Sequence, residues 1–413
     1  MSIDDLRAQY EAYPYPARVP KDEARRLVTG SPSYLDEVNH YVFGGRLTGR
    51  DRPLSVLVAG GGTGDGTIMI AQQMADAGLA GTVTYLDLST ASRAVAEARA
   101  AARGLTNLRF VTGSLLDAAG LGTFDYIDCC GVLHHLDDPA AGLRALAAAL
   151  APGGGMGIMV YAPYGREGVY PLQQALRTLG GDLPLAEQVA LARRLVTNLP
   201  PTNGLRRNPF MTDHRGPDAA LYDLLLHSCD RPYTVGELAD LAAAGGMSIT
   251  ALVEPLRYDP ALYVQDARIL KRLEGLPWLE RAAWAERVGG SLSKHVAYLT
   301  RPEDAAAAVA AADGPGVIPV LRDLDGEARA RGLPPGAVID ADLAGITVSL
   351  PLPRLAGPIL ARIDGRTDLA TLHAQVQEAA GVVPWDTFKS QFDQLFKALN
   401  GIGKMYLRRA AGA

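Results

Sequence analysis

The sequence lacks several features that would place it in familiar classes of protein. Only three cysteines occur among 413 residues, and the spacing of Cys129, Cys130 and Cys229 fits neither a disulfide framework nor a zinc site. No apolar run reaches the length of a transmembrane helix, and the first residues are polar and acidic, unlike a secretory signal. We therefore expect a cytoplasmic protein.

The sequence also lacks an excess of positive charge. Its 40 basic and 45 acidic residues give a formal net charge of −5, so we expect neither nucleic acid nor an anionic membrane as a partner. Charged residues make up 21% of the chain and hydrophobic residues 48%, as in soluble globular proteins. The length predicts roughly two domains with an ample core.

A glycine-rich turn is the most informative feature that is present. An apolar run at 54–59 ends in Gly60–Gly64, and a helical pattern follows. Glycine lets the backbone approach a ligand closely, and the start of a helix offers free N–H groups. The next apolar run ends in Asp87, where an acid can hold ribose hydroxyls, although Asp87 alone would also suit a helix cap. This pairing predicts a nucleoside-containing cofactor.

Strand and helix patterns alternate through the first half of the chain. We predict strands at 55–59, 82–87, 108–112, 126–131 and 156–161, and helices at 67–77, 91–103 and 139–150, with a turn at 152–155. Cys129 and Cys130 fall inside one strand and are expected in the core. This order predicts a mainly parallel sheet covered on both faces.

The alternation of strand and helix patterns stops after the fifth strand, and the composition of the chain changes near residue 301. The stretch 162–248 is mostly helical, and strands resume near 249–254 and 294–300. An Ala/Gly/Pro-rich stretch at 301–319 indicates a domain boundary. Beyond it we predict a strand at 346–350, helices at 355–363, 369–378 and 385–399, and a strand at 404–408. That order is similar to small winged-helix or peptide-holding modules, and a unit that packs on the enzyme or forms a dimer is the alternative.

Taken together, the motifs resemble the Rossmann-like, S-adenosylmethionine-dependent (class I) methyltransferases. The resemblance is carried by Ala59–Gly64, by Phe-Asp-Tyr-Ile at 124–127, by Gly-Val-Leu-His-His-Leu at 131–136 and by Leu-Ala-Pro-Gly-Gly at 150–154. It implies an α/β fold with a mainly parallel seven-stranded sheet and helices on both faces. It also implies S-adenosyl-L-methionine as cofactor and S-adenosyl-L-homocysteine as product.

The same resemblance assigns the cofactor site. The implied binding residues are Ala59, Gly60, Gly61, Gly62, Thr63 and Gly64 for the amino acid portion, Asp87 and Leu88 for the ribose, Ser114 and Leu115 for adenine, and Gly131, Val132 and His135 near the sulfonium. Two positions depart from the family pattern, because Val58 and Ser114 stand where the family often has acids. A hydroxyl binds the adenine amino group more weakly than a carboxylate does.

The adjacent histidines leave several interpretations open. His134 and His135 can supply a general base, substrate ligands or internal polar groups. We take His134 as the candidate catalytic base and His135 as a structural or cofactor-flanking residue. Because no third ligand stands nearby at metal spacing, we expect no metal.

The N-terminal segment 9–16, with its Tyr-Pro-Tyr-Pro sequence, and 39–44 resemble an extension that caps the pocket in some bacterial methyltransferases. Candidate substrate residues are Tyr10, Tyr13, Tyr15 and His40 from this extension, and Tyr161, Tyr164 and Arg166 after the fifth strand. The tyrosines can instead pack as a lid, and Arg166 can form a surface ion pair. The stretch 221–234 resembles a substrate-side insertion, although His227, Asp230 and Arg231 also suit helix caps.

We therefore expect a cap at 1–50, a methyltransferase core at 51–301 with the insertion at 162–248, a linker at 302–319 and a winged-helix-like module at 320–413. The expected reaction is an in-line methyl transfer to a protein or peptide side chain or to a small molecule. The alternatives are a non-catalytic S-adenosylmethionine-binding scaffold and, from a different class, a nicotinamide-dependent oxidoreductase. The acceptor is the one expected partner, with oligomer formation through the C-terminal module.

Overall fold

A computed structural model describes Arg7 and residues 10–47 and 52–410 of the chain. Gln9 of the Tyr-Pro-Tyr-Pro segment lies outside the described residues, as do residues 1–6. Residues 50 and 51, between which we expect the boundary of the cap, also lie outside them. All structural statements below concern the described part.

The central element is a seven-stranded sheet. Its strands are β1 (Leu54–Ala59), β2 (Gly81–Asp87), β3 (Leu108–Thr112), β4 (Phe124–Cys130), β5 (Leu150–Tyr161), β6 (Ser248–Leu252) and β7 (Lys294–Thr300). Their order across the sheet is β3-β2-β1-β4-β5-β7-β6. Neighbours among β1 to β5 pair in parallel, whereas β7 is antiparallel to both β5 and β6. The predicted mainly parallel α/β fold is confirmed.

Helices connect these strands and form the insertion. Those of the first half are α1 (Leu35–Tyr41), α2 (Asp65–Asp76), α3 (Thr90–Ala102) and α4 (Pro139–Ala148); those of the insertion are α5 (Val169–Gly180), α6 (Leu185–Thr197), α7 (Gly204–Arg207), α8 (Asp218–Leu225) and α9 (Val235–Ala244). Between β6 and β7 lie α10 (Ala267–Leu273) and α11 (Trp278–Gly289). Side-chain caps fix several starts, as where Ser89 accepts from the backbone N–H of Ser92.

The core has one apolar layer on each face of the sheet. Because successive strand residues point to opposite faces, Leu57 and Ile127 belong to one buried cluster, and Val56 and Tyr126 belong to the other. The central strands are therefore buried on both sides, as expected for parallel strands that carry apolar side chains throughout. This burial leaves the strand ends as the place where polar side chains can gather.

Two sequence predictions in this half need correction. The segment at 152–155 is not a turn before the fifth strand: β5 begins at Leu150, and a register shift against β4 absorbs the extra residues. The pairing of β5 with β4 starts before the predicted residue 156, because Phe124 donates its N–H to the carbonyl of Ala149. Cys129 lies in the core as predicted, but Cys130, the last residue of β4, is exposed.

The C-terminal region forms a compact α/β unit. It comprises α12 (Ala305–Ala308), β8 (Val317–Leu321), α13 (Gly326–Ala330), β9 (Val338–Leu343), β10 (Ile346–Pro351), α14 (Ala356–Leu360), α15 (Leu369–Ala380), α16 (Trp385–Gly401) and β11 (Met405–Arg409). β9 and β10 form a hairpin, and β11 pairs antiparallel with β8. The predicted order of three helices and a strand is present; the winged-helix likeness stays a prediction.

The stretch 302–319 is not a free linker, which corrects the expected boundary. It contains α12 and the first residues of β8, and the Ala310 N–H donates to the carbonyl of His40 at 2.7 Å. Glu37 of α1, fully buried, accepts hydrogen bonds from Tyr298 of β7 and Tyr406 of β11, each at 2.8 Å, and pairs with Arg322. The C-terminal unit therefore shares its core with the sheet domain.

Within the part of the chain described above, no helix is both long and apolar enough to cross a lipid bilayer. This finding agrees with the absence of long apolar runs in the sequence.

Candidate active site

The glycine turn follows β1 and is shaped by close contacts. Gly60 and Gly62 adopt positive φ angles of 78° and 50°, which glycine adopts without steric cost. A methyl group at Gly60 would collide with the side chain of Val132, and one at Gly62 would lie 2.8 Å from the carbonyl oxygen of Tyr15. The turn thus brings its backbone against two of the other predicted site segments.

Asp87 at the end of β2 faces this turn. Its carboxylate accepts the N–H of Gly62 and the N–H of Ser89, both at 2.8 Å. Burial raises the pKa of Asp87, and these N–H donors oppose that rise. A carboxylate offers about four lone pairs. The N–H groups of Gly62, Ser89 and Leu88 use three of them, so Asp87 retains capacity for one further donor such as a hydroxyl. The predicted glycine turn and acid therefore meet.

The turn after β3 is less clearly built for a ligand. The Ser114 hydroxyl accepts the N–H of Leu116 at 3.2 Å, so it is engaged in a local cap. Leu115 is 7% exposed and packs in the core, which leaves its side chain little surface for adenine. Leu88 directly follows the acid. The adenine role of Ser114 and Leu115 stays a prediction.

Three histidines form a buried group beyond β4. His134, His135 and His227 are at most 4% exposed, and the ring of His135 stacks on that of His227 with centroids 3.7 Å apart. His135 donates Nδ1–H to the carbonyl of Cys229 at 2.7 Å. Neither ring nitrogen of His134 has a partner among the described residues.

Burial controls the charge of these rings. The pKa of His134 is lowered well below its usual value, first by burial and then by His135 and Arg166. The pKa of His227 is lowered in the same way by burial and by His135. Both rings are therefore neutral near physiological pH. A neutral ring keeps a lone pair that can accept a proton.

Two acids of the insertion complete this cluster. Tyr161 at the end of β5 donates its hydroxyl to Asp223 at 2.7 Å, and burial raises the pKa of Asp223. Arg166 forms an ion pair with Asp230 at 3.2 Å, and both side chains are at most 2% exposed. The guanidinium also lies 3.7 Å from the ring centre of Tyr161. The alternative of a surface ion pair for Arg166 is wrong, because the insertion covers it.

The N-terminal segment lies across both halves of the site. The Tyr10 carbonyl accepts from the Ser89 hydroxyl at 3.3 Å, and the Tyr10 hydroxyl lies 3.1 Å from Nε2 of His227. The Thr63 hydroxyl donates to the carbonyl of Pro16 at 2.6 Å. We call residues 10–16 the strap. A single tyrosine of the strap therefore reaches from the acid at β2 to the histidines beyond β4.

Other candidate residues lie at different depths around this site. Tyr13 stacks on Tyr222 of the insertion, with ring centroids 5.3 Å apart. Tyr164 begins a short turn after β5 and is half-buried. Gly131 and Val132 follow β4, where Val132 contacts the glycine turn as described above.

His40 is a candidate substrate residue that lies away from the site in the structure. It is 1% exposed, its Nδ1 accepts the N–H of Leu407 at 3.1 Å, and its ring packs on Phe396 and Tyr406. Burial lowers its pKa to about 4. The expectation of a substrate role for His40 is therefore wrong, since His40 lies on α1 and packs against the C-terminal unit.

Sequence reasoning missed the part of the cluster that comes from the insertion. The sequence pattern does not single out Asp223, and it leaves His227 and Asp230 open as either helix caps or parts of a substrate-side insertion. The available signal is an acid between Tyr222 and Leu224 on α8, because an acid within an apolar helix segment must find a partner when it is buried. The premise that no third metal-type ligand lies near the paired histidines also fails, since His135, Asp223 and His227 place candidate ligand atoms within 4.8 Å.

Comparisons with known sequences agree with the order of these motifs. A family model described as a methyltransferase domain matches residues 57–156. The uncharacterized protein syc1184_c of Synechococcus sp. is 31% identical over 310 residues, which cover 72% of this chain and 71% of that protein. The match to syc1184_c therefore extends well beyond the methyltransferase domain.

Solved structures share the fold over an even larger part of the chain. PKMT2 from Rickettsia typhi superposes with a TM-score of 0.62 at 14% identity, covering 93% of this chain and 76% of that one. The complex of PKMT2 with AdoHcy gives a TM-score of 0.59 at 14% identity and covers 93% and 77% of the two chains. At this identity the similarity establishes a common fold, and its extent takes in the insertion and the C-terminal unit.

Proposed function

We propose that this chain, which belongs to one family with syc1184_c and matches a methyltransferase-domain model at 57–156, is a class I methyltransferase that transfers a methyl group from S-adenosylmethionine to a side chain of a protein or peptide. The C-terminal unit, whose order of helices and strands is similar to small peptide-holding modules, supports a polypeptide acceptor. We further propose a cytoplasmic setting, on the sequence grounds given above.

The observation that carries this proposal is the reach of Tyr10. Its carbonyl contacts Ser89 beside Asp87, and its hydroxyl contacts His227 in the buried cluster. The two polar regions at the strand ends are therefore one side chain apart. Ligands of open α/β sheets bind at this edge of the sheet, so a nucleoside at Asp87 and an acceptor at the cluster would be neighbours.

The residues present fit the cofactor. The glycine turn provides a surface without side chains at Gly60, Gly61 and Gly62, and Asp87 keeps a lone pair for a ribose hydroxyl. When bound, S-adenosylmethionine supplies a methyl group already activated by a positively charged sulfur. The protein therefore need not generate an electrophile, and alignment and exclusion of water become its main tasks.

The chain contributes positioning and a dry environment. Tyr161, Asp223 and Arg166 hold one another through the contacts given above, which gives the acceptor wall a fixed geometry. The strap and α8 cover this wall. Holding reactants in line contributes up to roughly 7–11 kcal/mol in favourable cases. A neutral His134 is available for an acceptor that must lose a proton.

A non-catalytic S-adenosylmethionine sensor is the second candidate. The observation that favours it is Ser114, whose hydroxyl is already engaged with Leu116 where the family often has an acid. A small-molecule acceptor would preserve the chemistry but change the substrate. With an isotope-labelled methyl donor, a sensor would form no labelled product, and an enzyme for small molecules would label the small-molecule fraction instead of the protein fraction.

The experiment is to incubate the purified full-length protein with isotope-labelled methyl donor and an extract from a strain that lacks it. We expect mass spectrometry to find the label in the protein fraction. Label only in the small-molecule fraction would replace the polypeptide acceptor with a metabolite. Tight cofactor binding by calorimetry, with no label in either fraction, would favour the sensor.

A further inference from the structure

The strap covers part of the glycine turn. The carbonyl oxygen of Tyr15 lies 2.8 Å from the position that a methyl group on Gly62 would take. The Thr63 hydroxyl donates to the carbonyl of Pro16, the last residue of the strap, at 2.6 Å. Because the N–H of Gly62 is bonded to Asp87, the strap lies over the point where the turn and the acid meet. A ligand bound between them would be covered by the strap.

Buried charges hold the chain that follows the strap. Arg18 donates two hydrogen bonds to Asp65 in the first turn of α2, through Nε at 2.8 Å and through a terminal nitrogen at 2.5 Å. Asp65 also pairs with Arg99, which in turn pairs with Glu23. Arg99 and Glu23 are at most 6% exposed. Removing one partner of a buried pair leaves a charge without compensation, so this end of the strap is firmly held.

The N-terminal part of the strap is attached to α3 by a carboxylate at the surface. Glu11 Oε1 accepts the N–H of Thr90 at 2.5 Å and the Thr90 hydroxyl at 2.9 Å, and Oε2 accepts the N–H of Ala91 at 3.1 Å. These N–H groups begin α3, where no helix carbonyl reaches them and a negative charge is favourable. Surface contacts of this kind are weaker than a buried ion pair. The strap is therefore attached more weakly at Glu11 than at Arg18.

The strap also contacts the insertion on its other side. Tyr13 stacks on Tyr222 of α8, and the Tyr10 hydroxyl lies 3.1 Å from Nε2 of His227. These contacts place the strap between the helix that follows Asp87 and the insertion. Movement of the N-terminal end of the strap would therefore uncover the cofactor side and the buried cluster together.

We propose that the strap is a lid over the cofactor site and that Glu11 holds this lid closed. The lid opens from its N-terminal end, while Arg18 and Glu23 stay paired. Ala17, which is exposed and belongs to no helix or strand, lies between the two attachments and is the hinge. This proposal rests on the cofactor site proposed above: S-adenosylmethionine enters and S-adenosylhomocysteine leaves only while Glu11 is detached from α3.

The substitution Glu11→Ala tests the lid through the rates of ligand exchange. It removes three hydrogen bonds, so the lid should open more often. A lid that opens more often speeds entry and exit by the same factor. We expect the association and dissociation rate constants of S-adenosylhomocysteine each to rise about fivefold, the effect of losing one helix cap, while Kd changes less than about twofold. Surface plasmon resonance on the immobilised full-length protein measures both constants.

Glu97→Ala is the matched control, because Glu97 lies on the same helix and pairs with Arg93 at the surface of that helix. Both rate constants of this variant should equal those of wild type. A rise in the dissociation rate of Glu11→Ala alone, with Kd higher by the same factor, would make Glu11 an ordinary binding contact and contradict the lid. Unchanged constants in a folded Glu11→Ala variant would contradict the lid as well.

Amide hydrogen exchange without added ligand tests the lid separately from the cofactor. Glu11→Ala should speed exchange at 11–13 and 90–91, because local opening exposes these amides, and should leave 20–24 unchanged. Unchanged exchange at 11–13 would contradict the role of Glu11. If the wild type binds no S-adenosylhomocysteine, the proposed cofactor site fails and ligand gating fails with it, whereas the exchange result still decides whether Glu11 holds the strap.

Discussion

The sequence predicts the position of Asp87 at the end of the second strand but not the hydrogen bonds that its carboxylate forms. Its place at the end of the second strand followed from an apolar run and a terminal acid. Its bonds to Gly62 and Ser89 could not be read from the sequence, because they depend on how β1 and β2 align. The alignment holds the carboxylate with a free lone pair toward the turn.

The substitution Asp87→Ala tests this assignment. It removes an acceptor that would bind a ribose hydroxyl, so we expect cofactor affinity to fall by about 1–3 kcal/mol. Calorimetry with S-adenosylhomocysteine measures the change. Asp76→Ala at the exposed end of α2 is the control and should bind like wild type. Equal affinity in Asp87→Ala would remove this residue from the site.

Asp128 is a second residue whose environment the sequence did not reveal. It lies in β4 with no exposed surface, accepts the hydroxyl of Ser33 at 2.5 Å, and leaves Oδ1 without a partner among the described residues. Burial raises its pKa to about 7. An acid within an apolar strand pattern was a visible signal, but its partner lies far away in the chain.

This raised pKa predicts a pH dependence of stability. Between about pH 5 and pH 7 the folded protein retains a proton on Asp128 that the unfolded chain has released. The free energy of unfolding therefore falls as pH rises through that window. Relative to Asp128→Asn, the wild type should lose about 2 kcal/mol, at about 1.4 kcal/mol per unit. Denaturant unfolding at several pH values measures this, and parallel curves for the two proteins would contradict it.

At the scale of elements, the strands were more predictable than the insertion. The helices and strands through β5 alternate along a parallel sheet, so local pattern largely defines them. The insertion places Asp223 against the end of β5 and Asp230 against Arg166 in the turn after β5, in each case from more than sixty positions away. Its helix pattern reveals an apolar face but not which strand ends that face covers, because packing rather than periodicity decides the contact.

The N-terminal segment is attached to the cofactor side of the sheet by buried charges. Glu23, 6% exposed, accepts from Arg99 of α3 at 2.7 Å and also pairs with Arg103. Arg99 donates to the carbonyl of Thr63 in the glycine turn at 2.8 Å. Glu23 therefore links the segment that carries the strap to the turn that the strap covers.

Removing this anchor should destabilise the protein. Glu23→Ala leaves the buried Arg99 with one fewer acid, and we expect the free energy of unfolding to fall by about 3 kcal/mol. Glu97→Ala is the matched control, because Glu97 pairs with Arg93 on the exposed face of the same helix; its effect should stay within about 0.5 kcal/mol. Equal effects in denaturant unfolding would show that burial of the Glu23 pair contributes nothing.

At the scale of the whole molecule, the sheet domain and the C-terminal unit share one interior. Tyr406 of β11 belongs to the same buried cluster as Tyr41 and Tyr298. The Ala/Gly/Pro-rich composition near 301–319 indicated a boundary, but composition does not record which surfaces meet after it. Small residues here allow close packing on α1, so the same stretch that resembles a linker serves as a contact.

Deletion of residues 305–413 tests this shared interior. If the unit were independent, the remaining chain would stay soluble and bind cofactor. The structure instead predicts that the deletion exposes Glu37, Tyr41 and Tyr298, and that the truncated protein is insoluble or unfolded. Recovery of a soluble fragment with an intact thermal transition would contradict this expectation.

The most direct test of the account is amide hydrogen exchange with and without S-adenosylhomocysteine. Its central claim is that the glycine turn, Asp87, the residues after β4 and the strap enclose one ligand site. We predict slower exchange at 60–64, 87–89, 131–135 and 10–16 when the ligand is added, and no change in the β9–β10 hairpin. Unchanged exchange at the glycine turn and Asp87, or protection confined to the C-terminal unit, would contradict the account.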